Sequence, residues 1–201
     1  MTDSLPPRPD FETMEAAAPA SAERRTSILA LIGNLVFSWS NNESLFIYVL
    51  MLLLRTDQTA AALVFATLNT TRARLDLVQR LAKATITDRA LLRALNRLID
   101  RFNECTRVRN EFNHCMYTLN ERGEITHTQS MRIQETRTGM KFGLTRAMDE
   151  ARLEEMAETV TELIRLNRDI WAFLPQLQAH LQGRAAQVPQ GDGASSSPSS
   201  Q

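Results

Sequence analysis

The sequence predicts an all-α fold: an antiparallel helical bundle with a small β-hairpin inserted before the last long helix. Two observations lead there. From residue 23 to residue 182 the apolar residues recur at helical spacing almost throughout. That period gives way to strand-like spacing in one place, a stretch of β-branched residues and turn formers after residue 116. Composition agrees, with 43% hydrophobic and 23% charged residues, the balance of a soluble globular protein.

The first helix is marked by Ile28, Leu29, Leu31, Ile32, Leu35, Val36 and Trp39. The polar run Ser38-Trp39-Ser40-Asn41-Asn42 then reads as an interruption, and Ser40-x-x-Glu43 has the spacing of a capping box that opens a second helix through Leu54. A third runs from about Thr59 to Lys83, with Val64, Leu68, Thr71, Leu75 and Val78 on one stripe. The fourth, from about Asp88 to Met116, carries a seam at alternating steps of four and three: Leu91, Leu95, Leu98, Phe102, Cys105, Arg109, Phe112 and Met116. Arg109 thus takes an apolar position. The last long helix, from about Met148 to Leu181, repeats the seam with Asn167 as its polar member, which reads as a device fixing register. Pro175 should kink it. Between these two helices Tyr117–Leu119 pairs with Ile125–Thr128 in a hairpin, and Met131–Glu135 offers a further strand.

Residues 1–22 hold four Pro and little to bury, and residues 183–201 are rich in Gly, Ser, Pro and Gln; both read as disordered tails around one domain, 23–182. Cys105 and Cys115 fall ten residues apart on the fourth helix, roughly 15 Å at ~1.5 Å per residue, too far for a disulfide. They read as small apolar residues in a reducing compartment. The N-terminal stretch lacks an apolar signal segment. Leu45–Leu54, the most apolar run, is ten residues against the about 20 a membrane span needs. The expected location is cytoplasmic, away from membranes.

Net charge is zero at neutral pH, which excludes a chain that is a cation over its whole surface. Charge is nonetheless segregated. Arg72–His114 holds ten Lys or Arg against five acids, and Met148–Asp169 seven acids against three Arg. The basic stretch suits either a solvated helix face or a track for RNA. Trp39 and Trp171 read as core, and His127 and His180 give no functional signal.

Several chemistries lack their parts. The three His and two Cys show no CxxC, HxxxH or HExxH spacing, the glycines form no phosphate loop, and no Ser sits in a nucleophile elbow. No metal or cofactor is expected. What remains is Arg109-Asn110-Glu111-Phe112-Asn113-His114. An imidazole can take a proton from a ribose 2′-OH or give one to a leaving oxygen. A guanidinium offers a planar fork and fixed charge to the phosphate. Asn110 and His114 are four apart and share a face, so the amide can orient the imidazole. Arg109 and His114 are five apart, roughly 140° round an ideal helix. One helix therefore does not aim both at one phosphate, and a second copy would complete the groove.

RNxxxH near the C-terminal end of a long helix, in an all-helical domain of this size, resembles the HEPN superfamily (higher eukaryotes and prokaryotes nucleotide-binding). Many members are metal-independent endoribonucleases, among them toxins, defence proteins and the nuclease halves of RNA-targeting CRISPR effectors. The resemblance covers the helical core in architecture and six residues in motif. It implies that Arg109 and His114 are the catalytic pair, with Asn110 and Asn113 as polar neighbours and Glu43 as a supporting acid from an early helix. It also implies RNA as substrate, a homodimer with two motifs facing each other, and an antitoxin or regulatory protein as partner. Other readings of the same residues stand beside it. Arg109 can be a buried arginine paired with Glu43, His114 a helix-end histidine favoured by the dipole, and Glu43 a capping residue alone. Arg122 and His127 repeat the Arg-x4-His spacing in a Gly-containing turn, so spacing alone is not specific. The alternative function is a non-catalytic helical module that binds nucleotide, RNA or a partner protein.

Overall fold

The computed structural model describes residues 22–131, 133–136 and 139–186. Among them are five helices, α1 (Ala22–Leu54), α2 (Gln58–Thr67), α3 (Thr71–Thr85), α4 (Arg89–Asn113) and α5 (Glu150–Ala186). Five short strands, β1 (Cys115–Leu119), β2 (Ile125–Ser130), β3 (Ile133–Thr136), β4 (Gly139–Phe142) and β5 (Thr145–Ala147), lie between α4 and α5. The fold is mostly α with a β insert before the last helix. No single helix among the described residues is long and apolar enough to cross a membrane. Residues 1–21 and 187–201, read above as tails, lie outside the described residues. The chain divides into two compact units. One holds α1 through Leu45, α4 from Arg97, the β insert and α5 through Asp169; the other holds Phe46–Asn96 and the chain from Ile170 on.

The first unit contains the motif. Its core is built from Leu35 and Trp39 of α1, Phe102, Val108 and Phe112 of α4, and Met156, Leu163 and Leu166 of α5, all buried. The break expected at Ser38–Asn42 does not occur, because side-chain donors in and just after the polar run bond back to carbonyls one turn earlier in the same helix, although Asn42 Oδ1 stays buried without a hydrogen-bond partner. Asn42, 1% exposed, donates from Nδ2 to the Ser38 carbonyl at 2.8 Å and to the Leu163 carbonyl of α5 at 2.9 Å. Ser44 donates to the Ser40 carbonyl at 2.9 Å. The bonds to Ser38 and Ser40 are i to i−4 along the helix and leave the run helical, while the bond to Leu163 ties it to α5. Ser40 and Glu43 are therefore mid-helix residues, and the capping box is not formed.

In the second unit the helix expected over Thr59–Lys83 is two. Leu68 and Thr70 are extended, and the Thr70 hydroxyl caps α3 by accepting from the Ala73 amide at 3.1 Å. Asp57 caps α2 in the same way through Ala60. The freed carbonyls at the end of α2 are taken by Arg74, whose Nε lies 3.2 Å from Phe65 O and 3.0 Å from Leu68 O. Val64, assigned to the buried stripe, is 38% exposed. Trp171, expected in the core, is 52% exposed on α5 and meets the Tyr48 ring at 6.1 Å between centroids. Ile170 beside it takes the buried position.

α4 starts as expected, with the Asp88 carboxylate accepting from the Ala90 amide at 2.7 Å. It stops at Asn113, so Cys115 and Met116 belong to β1 rather than to the helical seam, and Met116 is 46% exposed. The reason is a cap on the last turn: the Phe112 carbonyl accepts from the Tyr117 hydroxyl at 2.8 Å and from the Cys115 thiol at 3.3 Å. Both cysteines are free. The expected hairpin is present and longer, with Tyr117 opposite Thr128 and Cys115 opposite Ser130. β5 adds to the far edge of β2, placing Arg146 opposite Thr128. The third expected strand does not join this sheet; β3 pairs with β4 in a separate hairpin. Gly143, at φ 72°, turns the chain back toward β5, and an added Cβ would lie 2.9 Å from the Ser130 carbonyl oxygen. Only glycine fits there. α5 remains helical through Pro175 and past Leu181 to Ala186, four residues into the stretch assigned to the tail.

Candidate functional site

The segregated charge is partly paired within the first unit. Arg101 of α4 meets Glu162 and Asp169 of α5, each at 2.6 Å. Two groups of side chains then form round the end of α4, and the motif is shared between them.

The first group is centred on Arg109. Its guanidinium lies over the Trp39 ring, 3.9 Å from the centroid, and Trp39 in turn stacks on Phe102 at 5.6 Å. Trp39 is fixed by its indole N–H, which donates to the Thr106 hydroxyl at 2.8 Å. Arg109 Nη1 donates to the Asn110 amide oxygen at 3.0 Å. The Asn113 amide, oriented with its oxygen toward the guanidinium, accepts from Nε at 3.3 Å and from Nη2 at 3.2 Å. Burial lowers the Arg109 pKa from the usual arginine value, and the charge of Glu43 acts in the opposite sense. Asn110 and Asn113 are thus brought onto Arg109, Glu43 is near enough for its charge to act on the guanidinium, and Trp39 lies under that guanidinium. The seam position of Arg109 is explained by an aromatic face.

The second group surrounds a cavity of about 120 Å³ lined by Asn110, Glu111, His114, Cys115, Thr128, Ser130, Leu144, Arg146 and Arg152. His114 is the first residue beyond α4. Its amide donates to Asn110 O at 3.1 Å and its carbonyl accepts from the Met131 amide at 3.2 Å, so its backbone is fixed while its side chain is exposed. Arg109 is not among the residues lining this cavity. Asn110 belongs to both groups; its amide oxygen serves Arg109 rather than orienting the imidazole. Asn167, half-buried on α5, does not line the cavity.

Glu111, Arg146 and Arg152 were missed by the sequence argument. The Glu111 carboxylate accepts from Arg107 at 3.0 Å, from Arg146 at 3.0 Å and from Arg152 at 2.7 Å. Arg152 also pairs with Glu155 and lies over the Phe112 ring at 4.5 Å. Burial alone would raise the Glu111 pKa, but the hydrogen bond from Arg152 and the charges of Arg152, Arg146 and Arg107 outweigh it and hold the carboxyl below its ordinary range. Burial pushes the Cys115 thiol up, and that of Cys105 to about 11, so neither is an activated thiolate. Among the described residues no group of three or more His, Cys, Asp or Glu is placed to hold a metal ion.

The Glu111 arrangement sets an acid limb on stability. A carboxyl whose folded pKa is depressed stabilises the fold above its unfolded pKa, about 4.3, and that contribution is lost as pH falls through the folded value. Glu111→Gln should therefore lower the melting temperature near neutral pH, and the gap to wild type should narrow at acid pH as the carboxyl takes up its proton. A gap that is the same at both pH values would show that the ionised carboxylate does not hold this corner together.

Comparison with protein-family models, with curated proteins and with solved structures returns no match.

Proposed function

We infer that this chain is a HEPN-type, metal-independent endoribonuclease that acts as a homodimer. The observation that carries the reading is His114. It is an exposed residue whose backbone is hydrogen-bonded through both N–H and C=O, it lines a cavity together with the guanidinium-bearing Arg146 and Arg152, and it lies one helical turn beyond Asn110, the acceptor of the Arg109 hydrogen bond. The chemistry suited to these groups is transesterification. The 2′-oxygen attacks phosphorus, the bond from phosphorus to the 5′-oxygen breaks, and 2′,3′-cyclic phosphate and 5′-OH ends result. The 2′-OH proton goes to a base, and a proton is delivered to the departing 5′-oxygen. In a dimer that sets two motifs face to face, one His114 serves as base and the other as acid, and Arg109 holds the scissile phosphate and stabilises the charge that builds on it. The cellular setting that goes with this reading is cytoplasmic, as a toxin or defence protein held in check by an antitoxin or regulatory partner.

Purified full-length protein should cleave RNA in EDTA, leaving cyclic phosphate ends, and should have a dimeric mass by light scattering. A folded, dimeric protein without activity on structured or single-stranded RNA would overturn the reading.

A second reading has an observation of its own. The Arg109 guanidinium is engaged on its face by Trp39 and along its edges by Asn110 and Asn113, which suits a structural arginine. A non-catalytic module that binds RNA, nucleotide or a protein partner would keep the motif for this reason. In that case Arg109→Ala lowers stability while His114→Ala changes nothing measured.

A further inference from the structure

The cations that share the cavity with His114 come from outside the helix bearing the motif. Arg152 projects from α5 and Arg146 from β5, while Thr128 and Ser130 of β2 and Asn110 of α4 add hydroxyls and an amide. The two arginines are not equivalent. Arg152 is buried, with 8% of its side chain exposed, and is held by Glu111, Glu155 and the Phe112 ring. Arg146 is 47% exposed, and its one ion pair among the described residues is Nη1 to Glu111 at 3.0 Å. A guanidinium has five N–H donors in a planar fork, so that single bond steers Arg146 and leaves donors on a side chain that lines the cavity. Glu111 is itself clamped by Arg107 and Arg152, which makes it a rigid tether rather than a competitor free to swing. Nucleic-acid backbones are held by this mixture, arginine with hydroxyls and amides on phosphate and sugar.

We propose that this cavity is a phosphate subsite for the RNA chain, in which Arg146 holds a phosphodiester next to the one presented to His114. The β insert then has a purpose that the helices do not supply: it carries the substrate-positioning cation to the end of α4. Arg146 is a binding residue and touches a phosphate that does not react. The identity of the ligand rests on the endoribonuclease reading; the site itself rests on the cavity and the state of Arg146.

The test uses full-length protein and a short, fluorescently labelled, fully 2′-O-methylated RNA, which binds but has no 2′-OH to attack. Affinity is measured by anisotropy over a range of salt concentrations. Arg146→Ala should bind about tenfold more weakly, with a log Kd against log salt slope shallower by about 0.7, the loss of one phosphate contact on a single strand. Arg146→Lys should restore most of the slope, and Arg165→Ala on α5, away from the cavity, should stay within about twofold of wild type. The exposed pair with Glu111 contributes little to stability, so the melting temperature of Arg146→Ala should match wild type. Wild-type affinity and slope in Arg146→Ala, or no binding by the wild type, would overturn the subsite. Arg146-dependent binding with no cleavage of unmodified RNA would instead uphold the subsite and remove the endoribonuclease reading.

Discussion

Replacing His114 with Ala should lower the rate of RNA cleavage about 10²–10⁴-fold, the range that one general acid or base supplies, and leave the fold intact. The second half of that expectation comes from geometry. The bonds that fix this position are made by the backbone, His114 N to Asn110 O and Met131 N to His114 O, and alanine keeps both. The imidazole is exposed and supports no core residue. Exposed substitutions of this kind fall within about 0.5 kcal/mol, a shift of roughly 2 °C in a chain of this size. A gel assay in EDTA, run beside a thermal melt, reads both quantities from one preparation. A folded His114→Ala protein that cleaves at the wild-type rate would remove His114 from the chemistry.

How far the sequence led depends on whether a feature is local. The seam of α4 was readable because Leu91, Leu95, Leu98, Phe102, Cys105 and Phe112 answer to a single period, and all of them are buried. The start of α4 near Asp88 and the first hairpin of the insert were readable for the same reason, since their signals lie within a few residues. Errors arose where polar residues have two uses. Ser38, Ser40 and Asn42 can start a helix or bond back into one, and Asn42 does the latter because a carbonyl of α5 gives its amide a second acceptor. Thr70 went the other way: it caps α3 in a stretch with neither Gly nor Pro to announce a break. At the candidate site, the closeness of Arg109, Asn110 and Asn113 follows from helical spacing. The Trp39 floor and the cavity do not. Arg146 sits on a strand of three residues, and Arg152 on a helix whose acidic neighbours suggest a solvated face. Only the pairing of β5 with β2 and the packing of α5 bring them to Glu111.

The largest effect on stability should come from Arg152, a residue with no place in the motif. Arg152→Ala should cost about 3 kcal/mol, the lower end of the range for breaking a buried ion pair from one side. The lower end applies because neither carboxylate is stranded: Glu111 keeps Arg107 and Arg146, and Glu155 is partly exposed. With roughly 2–4 °C per kcal/mol at this chain length, the melting temperature should fall by roughly 6–12 °C. Charge is only part of what is lost. The Arg152 stem and guanidinium cover the Phe112 ring at 4.5 Å, and Nε is buried with no hydrogen-bond partner, a standing desolvation cost. Met fills similar space over the ring and carries no buried charge or orphan donor. Arg152→Met should therefore recover at least half of the alanine loss. Urea titration of the three proteins separates the contributions. Met equal to Ala would mean that the ion pairs hold the corner, and Ala within about 0.5 kcal/mol of wild type would mean that Arg152 is not a stabilising node. If the node is as central as its contacts indicate, Arg152→Ala also loosens the cavity wall around His114, and cleavage should fall with stability even though Arg152 never reaches the reacting atoms.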